Sequence, residues 1–471
     1  FILLLFVERV PRLFVQPGGS LAFERARLFL CSAWCCFQTT IKMLRLLVLG
    51  VVFFAIAHAE ILNYYDLGGV PDDDSLDTEQ ANGALFNKTF ESMNPGDTLV
   101  VPADMNFYVM GGIMGNDLSN VTFQLDGTLT FSTKTRHWPR QENGDVLMCF
   151  TFNNVQDMIF TSSQELGTLN GQGSAWWGQP GIGYLLRGEN RPRLLEINGG
   201  TNILIEHWFF LNSPYWTTWL NGINGMEIRF CKIDARRDND QGHTLYDLTA
   251  FNTDGFDVSG YNIWVHDSEV WNQDDSFCVK GNSGNITFER IKSSGLGLTI
   301  GSIGAETVKN VTFRDAYMPY TVKGIYLKFR SDNGFIEDIT YENIYMESPS
   351  QYPIWIGPAQ QSDSNDLCAA HPCSICWPTT GDCNMPNSLY QNLVFRNITA
   401  HTPEGSPGVI FGSADQPMTN VVFEDVVMIN PGTKPFGTQY YCEGVDTSTC
   451  IAKGTTSPVP ECFTDETTTN Q

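Results

Sequence analysis

The sequence predicts an all-β fold, a single right-handed parallel β-helix with a short capping helix at its N-terminal end. Three observations carry this. A five-residue strand phrase recurs along the chain, successive copies lie 23 to 28 residues apart, and no helical periodicity separates them. The 43 glycines and 31 phenylalanines suit many tight turns between strands better than a helical bundle.

The phrase is Asn or Asp, an apolar residue, any residue, an apolar or aromatic residue, then a polar one. Copies begin at Asn262, Asn285, Asn310, Asp338, Asn392 and Asn420, with looser ones at Asn120, Asn202 and Gly225. Within each copy the alternation puts the second and fourth residues inward and the third and fifth outward. Leucine-rich repeats would need a leucine framework that is absent, and propeller blades need roughly 40 residues. Coils stacked at ~4.8 Å fit, with inward Ile, Val and Phe filling the bore and Asn laddering at the turns. The 54-residue gap between Asp338 and Asn392 reads as one coil carrying an inserted loop.

The remaining segments follow in order. Residues 1–42 precede the first methionine, Met43, and are read as lying outside the native fold. Arg45, the apolar run Leu46–Ala57 and the small residues Ala57 and Ala59 read as a signal peptide over 43–59. That run is shorter than the roughly 20 residues a membrane-spanning helix needs. Leu76–Met93, with Ala81, Leu85, Phe90 and Met93 at helical spacing, is the expected cap. The β-helix is expected over 60–444, followed by a Thr/Ser/Pro-rich tail, 445–471, tied by Cys442, Cys450 and Cys462.

Without the leader, ten of the thirteen cysteines remain, an even number that favours disulfides in an exported chain. Cys368, Cys373, Cys376 and Cys383 are expected to form two bridges stapling a loop, in preference to a zinc site. Sequons at Asn87, Asn120, Asn285, Asn310 and Asn397 also fit a secreted glycoprotein.

The chain of 471 residues has a net charge of −24, which argues against nucleic acid and against anionic membranes. Residues one coil apart lie above one another. Asp254 and the pair Asp274 and Asp275 are 20 and 21 residues apart, Leu296 lies 21 beyond Asp275, and Lys328 follows after a longer coil. Three crowded acids repel, so one stays protonated while others ionise. That division suits glycosidic cleavage by a general acid and a water-activating base. The same spacing suits turn-capping aspartates, or a calcium site.

Several motifs then resemble glycoside hydrolase family 28, the polygalacturonase and rhamnogalacturonase group with a pectin-lyase-like solenoid. They are Asn252–Gly255, Gln273–Asp275, Gly295–Leu298 with Gly301–Gly304, and Gly324–Lys328. Upstream, Asn170–Gly173, Trp176 and Trp177, Arg191 and Pro192, and Asn212–Pro214 are similar as well, so the resemblance covers Tyr64–Glu424. It implies inverting, single-displacement hydrolysis of a pectic polysaccharide. Asp274 would be the general acid, Asp254 and Asp275 would hold and deprotonate water, and Lys328, Tyr326 and Asn252 would bind substrate. No cofactor or metal is implied, and a secreted monomer is expected. Two positions depart from the pattern: Leu296 replaces a glycine-flanked histidine and Tyr326 an arginine. They leave open another uronate polymer, such as rhamnogalacturonan, or a weakly active carbohydrate-binding β-helix.

Among other candidates, Trp176, Trp177, Tyr215, Trp216 and Trp264 can stack on sugars or build the wall. Arg236 and Arg237 can meet a polyanion or simply be solvated. The net acidity predicts an acidic pH optimum, where carboxylates on both partners are partly neutralised.

Overall fold

The computed structural model describes residues 59–178, 190–238, 241–244, 246–362, 366 and 368–468. The upstream segment 1–42 and the expected signal peptide, save Ala59, lie outside them. From Ala59 onward the chain winds as a right-handed parallel β-helix.

The strand phrase forms one face of the coil. Met226–Ile228, Ile263–Val265, Ile286–Phe288, Val311–Phe313, Ile339–Tyr341, Leu393–Phe395 and Val421–Phe423 pair in parallel register. Its fourth position makes a column of buried rings, Phe288 on Phe313 at 4.6 Å and Phe313 on Tyr341 at 4.8 Å, each pair nearly parallel. Its first position is a left-handed turn, with φ of 53° to 62° at every copy from Asn262 to Asn420. Asn and Asp tolerate that conformation better than other side-chain-bearing residues. They also ladder: Asn285 Nδ2 donates to Asn262 Oδ1 at 2.7 Å, and Asn420 to Asn392 at 2.9 Å. The 54-residue gap is one coil with an insertion, since Tyr341 pairs directly with Phe395.

A second face carries the site. Phe256–Val258, Phe277–Val279, Leu298–Ile300, Ile325–Leu327, Ile354–Ile356, Gly408–Ile410 and Tyr440–Cys442 stack in parallel. The segments just before these strands therefore lie side by side along one edge.

The cap is helix Leu76–Ser92, begun by Ser75, whose side chain accepts from Thr78 N. Its buried face is Glu79, Asn82, Gly83, Phe86 and Phe90. Ala81 is exposed and Leu85 and Met93 only partly buried, so the inward stripe is rotated from the one expected. The large rings decide it: Phe86 stacks on Tyr64 at 4.1 Å, and Phe90 meets Phe123 and Phe152. Gly83 lets the helix approach, because a Cβ there would stand 2.6 Å from Met110 O.

At the other end, Ile451–Gly454 pairs with the strand above it and Thr464–Thr467 pairs with Ile451–Gly454. Stacking thus continues past Gly444, where the phrase fades. Cys442 bonds Cys462, but Cys450 is a free, buried thiol, contrary to its expected role as a tie. Cys149, Cys231 and Cys278 are likewise buried and free. They serve as small core residues, which a parity count cannot distinguish from disulfide cysteines. The loop cysteines form two bridges, Cys368–Cys376 and Cys373–Cys383.

Candidate active site

Asp254, Asp275, Leu296 and Lys323 each lie two residues ahead of an inward strand residue, Phe256, Phe277, Leu298 and Ile325, that pair in register. The β-helix edge thus lines up acid, acid, Leu and Lys on successive coils. This edge opens into a cleft of about 980 Å³. Asp254, Asp274, Asp275, Asn252, Tyr326 and Lys328 all line it, so the sequence-selected residues come together.

The nearest oxygens of Asp254, Asp274 and Asp275 lie within 4.8 Å of one another, and all three residues are buried. Asp275 is the ionised member. Burial works to raise it, but Lys328 and Lys280 outweigh that and hold it below the usual carboxylate range. Lys328 Nζ reaches both its oxygens, at 2.9 and 3.0 Å. Asp274 goes the other way, pushed up to about 6 by burial and by the neighbouring Asp275. Asp254 is also raised, by burial and then by Asp274, and among the described residues its Oδ1 has no hydrogen-bond partner.

Asp274 is aimed by its surroundings. Its Oδ1 accepts from Asp275 N at 2.9 Å and its Oδ2 from Asn252 Nδ2 at 3.2 Å. Arg191 fixes Asn252 in turn, donating to its Oδ1 at 2.8 Å while lying over the Tyr215 ring. Tyr326 is buried, with its hydroxyl accepting from Gln360 N at 2.9 Å.

A pair of charged residues, Asp257 and Lys280, escaped sequence reasoning, as did Lys323 in the cleft lining. Asp257 is fully buried beneath the cluster, 3.2 Å from Lys280 Nζ. Lys280 also stands 3.7 Å from Asp254 and 3.6 Å from Asp275. Their 23-residue separation, one coil, was the available signal. With Lys280 and Lys328 seated among the acids, the donor set is neutralised from within. A hard cation wanting about six to eight oxygens fits it poorly.

Other candidates sort by contact. Trp176 and Trp177 are buried wall, while Trp264 is 40% exposed and does not line the cleft. Tyr215 and Trp216 stack at 5.3 Å and do line it. Arg236 pairs with Asp234 at 2.6 Å, and Arg237 donates to Thr249 and Gly178, so both are held by the protein. The disulfide loop supplies Ile375 and Trp377 to the far wall.

A parallel β-helix with an acid cluster along its strand edge is the class that fold and site define. Residues 94–451 match glycosyl hydrolases family 28, and the chain belongs to that family. It is 33% identical over 258 residues to an endopolygalacturonase of Emericella nidulans, covering 53% of this chain and 62% of the relative. A probable endopolygalacturonase C of Aspergillus aculeatus is 38% identical over 196 residues, 40% and 48% of the two chains. The chain thus spans less than two thirds of these relatives' length. In fold it is similar to the endo-xylogalacturonan hydrolase of Aspergillus tubingensis, with TM-score 0.64, 18% identity, and coverage of 83% and 98%. The exopolygalacturonase of Thermotoga maritima gives TM-score 0.59 at 18% identity, covering 81% and 90%.

Proposed function

We propose that this protein hydrolyses α-glycosidic bonds of a uronate-containing pectic polysaccharide, as a secreted enzyme working by inversion. Asp274 protonates the leaving oxygen; Asp254 and Asp275 hold the attacking water between them, and Asp275, the ionised member, takes its proton. The observation that carries this is the split among three carboxylates in one cleft, with Asp274 raised to about 6 and Asp275 lowered. The endopolygalacturonase relatives supply the substrate class.

Inversion is what the family resemblance implies for this acid set, and Lys328, which grips both Asp275 oxygens, keeps that carboxylate ionised to accept a proton from water. The acid oxygens are nonetheless closer than the roughly 6.5–9.5 Å usual between inverting carboxyls, so the product anomer is worth measuring directly. Export through a leader at 43–59 is supported by three disulfides among the described residues. Among the described residues no helix is long and apolar enough to cross a membrane.

The test is release of new reducing ends from polygalacturonate and rhamnogalacturonan at acidic pH, with NMR of the first-formed anomer. The expected result is a β-configured reducing end, abolished in Asp274→Asn. Unsaturated, ultraviolet-absorbing products would mean elimination instead, and a fully active Asp274→Asn would remove the assigned acid.

A further inference from the structure

Four lysines line the cleft; Lys434 is exposed, and of the other three, two have their charge already engaged. Lys328 binds both oxygens of Asp275, and Lys280 sits among Asp254, Asp257 and Asp275. The third, Lys323, lines the same cleft, is only 4% exposed, and among the described residues has no hydrogen bond or ion pair at Nζ. Its backbone is fixed, with N donating to Gly295 O and its carbonyl accepting from Thr321 Oγ1. Gly297 allows the coils to meet there, since a Cβ on it would lie 2.6 Å from Lys323 O. The side chain lies against the Tyr326 ring, Nζ 4.8 Å from its centroid, with Lys328 Nζ 4.2 Å from the same ring.

We propose that Lys323 is the specificity residue that binds the substrate's uronate carboxylate, on the coil beyond Leu296 in the row that begins with Asp254 and Asp275. This rests on the hydrolase reading above. A buried, unpaired ammonium in a cleft wall is unfavourable until an anion meets it. Burial, and then Lys328 beside it, push Lys323 down to about 7. It is therefore cationic at the acidic pH where Asp274 holds its proton, and an incoming carboxylate relieves its position. The register also places it one row step beyond Leu296 and two beyond Asp275, on the same edge as the acids. A neutral sugar would leave this charge unmatched, so the site discriminates by charge as well as by shape.

The test uses the full chain carrying Asp274→Asn, which blocks turnover, titrated calorimetrically with galacturonate trimer and with its methyl ester. Adding Lys323→Met is expected to weaken the acid trimer at least tenfold while changing the ester less than twofold. Lys323→Arg is expected to keep the preference for the acid. In otherwise wild-type protein, Lys323→Met should raise KM on polygalacturonate with kcat within about threefold. Equal weakening of acid and ester, or no weakening of either, overturns the role of Lys323 while leaving the hydrolase reading in place. If neither trimer binds the Asp274→Asn protein at millimolar concentration, the galacturonate reading fails and the proposal with it.

Discussion

Lys280 Nζ stands 3.2 Å from Oδ2 of Asp257, a carboxylate with no solvent exposure, directly beneath the acid cluster. The pair is an internal counter-charge for the site. Burial raises Asp257 to about 6 even with Lys280 opposing the shift. Breaking a buried pair by removing one partner typically costs about 3–5 kcal/mol. Lys280→Met is therefore expected to lose about that much by urea unfolding at pH 7.5, and less at pH 5, where Asp257 can take up a proton. Lys280→Met combined with Asp257→Leu should recover part of the loss. A single-variant loss below about 1 kcal/mol would show that the pair does not hold the floor of the cleft.

The acids also set a pH window. Asp274 must be protonated to act, so kcat/KM is expected to fall as pH rises through about 6. Asp275 must be ionised and is held below its ordinary value, so the acid limb should lie below the usual carboxylate range. Lys328→Met removes the cation gripping Asp275, and its pKa should rise, moving the acid limb upward and narrowing the window. An unchanged acid limb in that variant would detach Lys328 from Asp275.

Stability should run against activity at Asp274. Its folded pKa of about 6 is above the unfolded value, so its contribution is most favourable below the unfolded pKa and is lost as pH rises through about 6. Asp274→Asn is expected to stabilise the protein by about 1–3 kcal/mol at pH 7.5 and by much less at pH 4. Urea unfolding at the two pH values checks the sign. Destabilisation at pH 7.5 would mean that Asn252 and the Asp275 amide need the carboxylate more than burial penalises it.

Much of this was legible because a parallel β-helix turns sequence spacing into position. The repeated Asn marked the left-handed turns, and the ring at the fourth position marked the bore. Offsets of 20 to 21 residues marked the row of acids. Lys323 was hidden because its coil is longer, 27 residues after Leu296 against 21 for the preceding step. Lys328, five residues on, carries the recognisable motif. Asp257 and Lys280 were hidden for another reason: a charge buried in a strand makes sense only when its partner one coil away is considered with it. The cap's stripe was misplaced because Ala81 scores as apolar, while the buried face is set by Phe86, Phe90 and the hydrogen-bonded Glu79 and Asn82.

The asparagine ladder should be measurable at Asn285. It holds φ of 56°, donates to Asn262 and accepts from Asn310 at 3.4 Å. Asn285→Ala loses both bonds and strains the turn, for an expected loss of about 1–2 kcal/mol in urea unfolding. Asn285→Gly keeps the turn and should lose roughly half of that. Equal losses would assign the effect to the ladder alone.

The inserted loop is the part most able to change how the cleft grips a polymer. Trp377 packs on Phe436 at 5.4 Å and Tyr441 at 5.1 Å while lining the cleft, and the two bridges hold the loop on either side of it. A disulfide closing a ring of about ten residues constrains it by roughly 2–3 kcal/mol, enough to convert an ordered loop into an open one. Because the loop projects from a coil whose strands stay paired without it, Cys373→Ala with Cys383→Ala should open the loop locally. The expected signature is new protease cleavage between residues 366 and 387 and a KM for long oligosaccharides raised about fivefold or more, with Tm within about 3 °C of the parent. Global unfolding at much lower temperature would make the bridges part of the β-helix itself, and an unchanged KM would remove the loop from substrate binding.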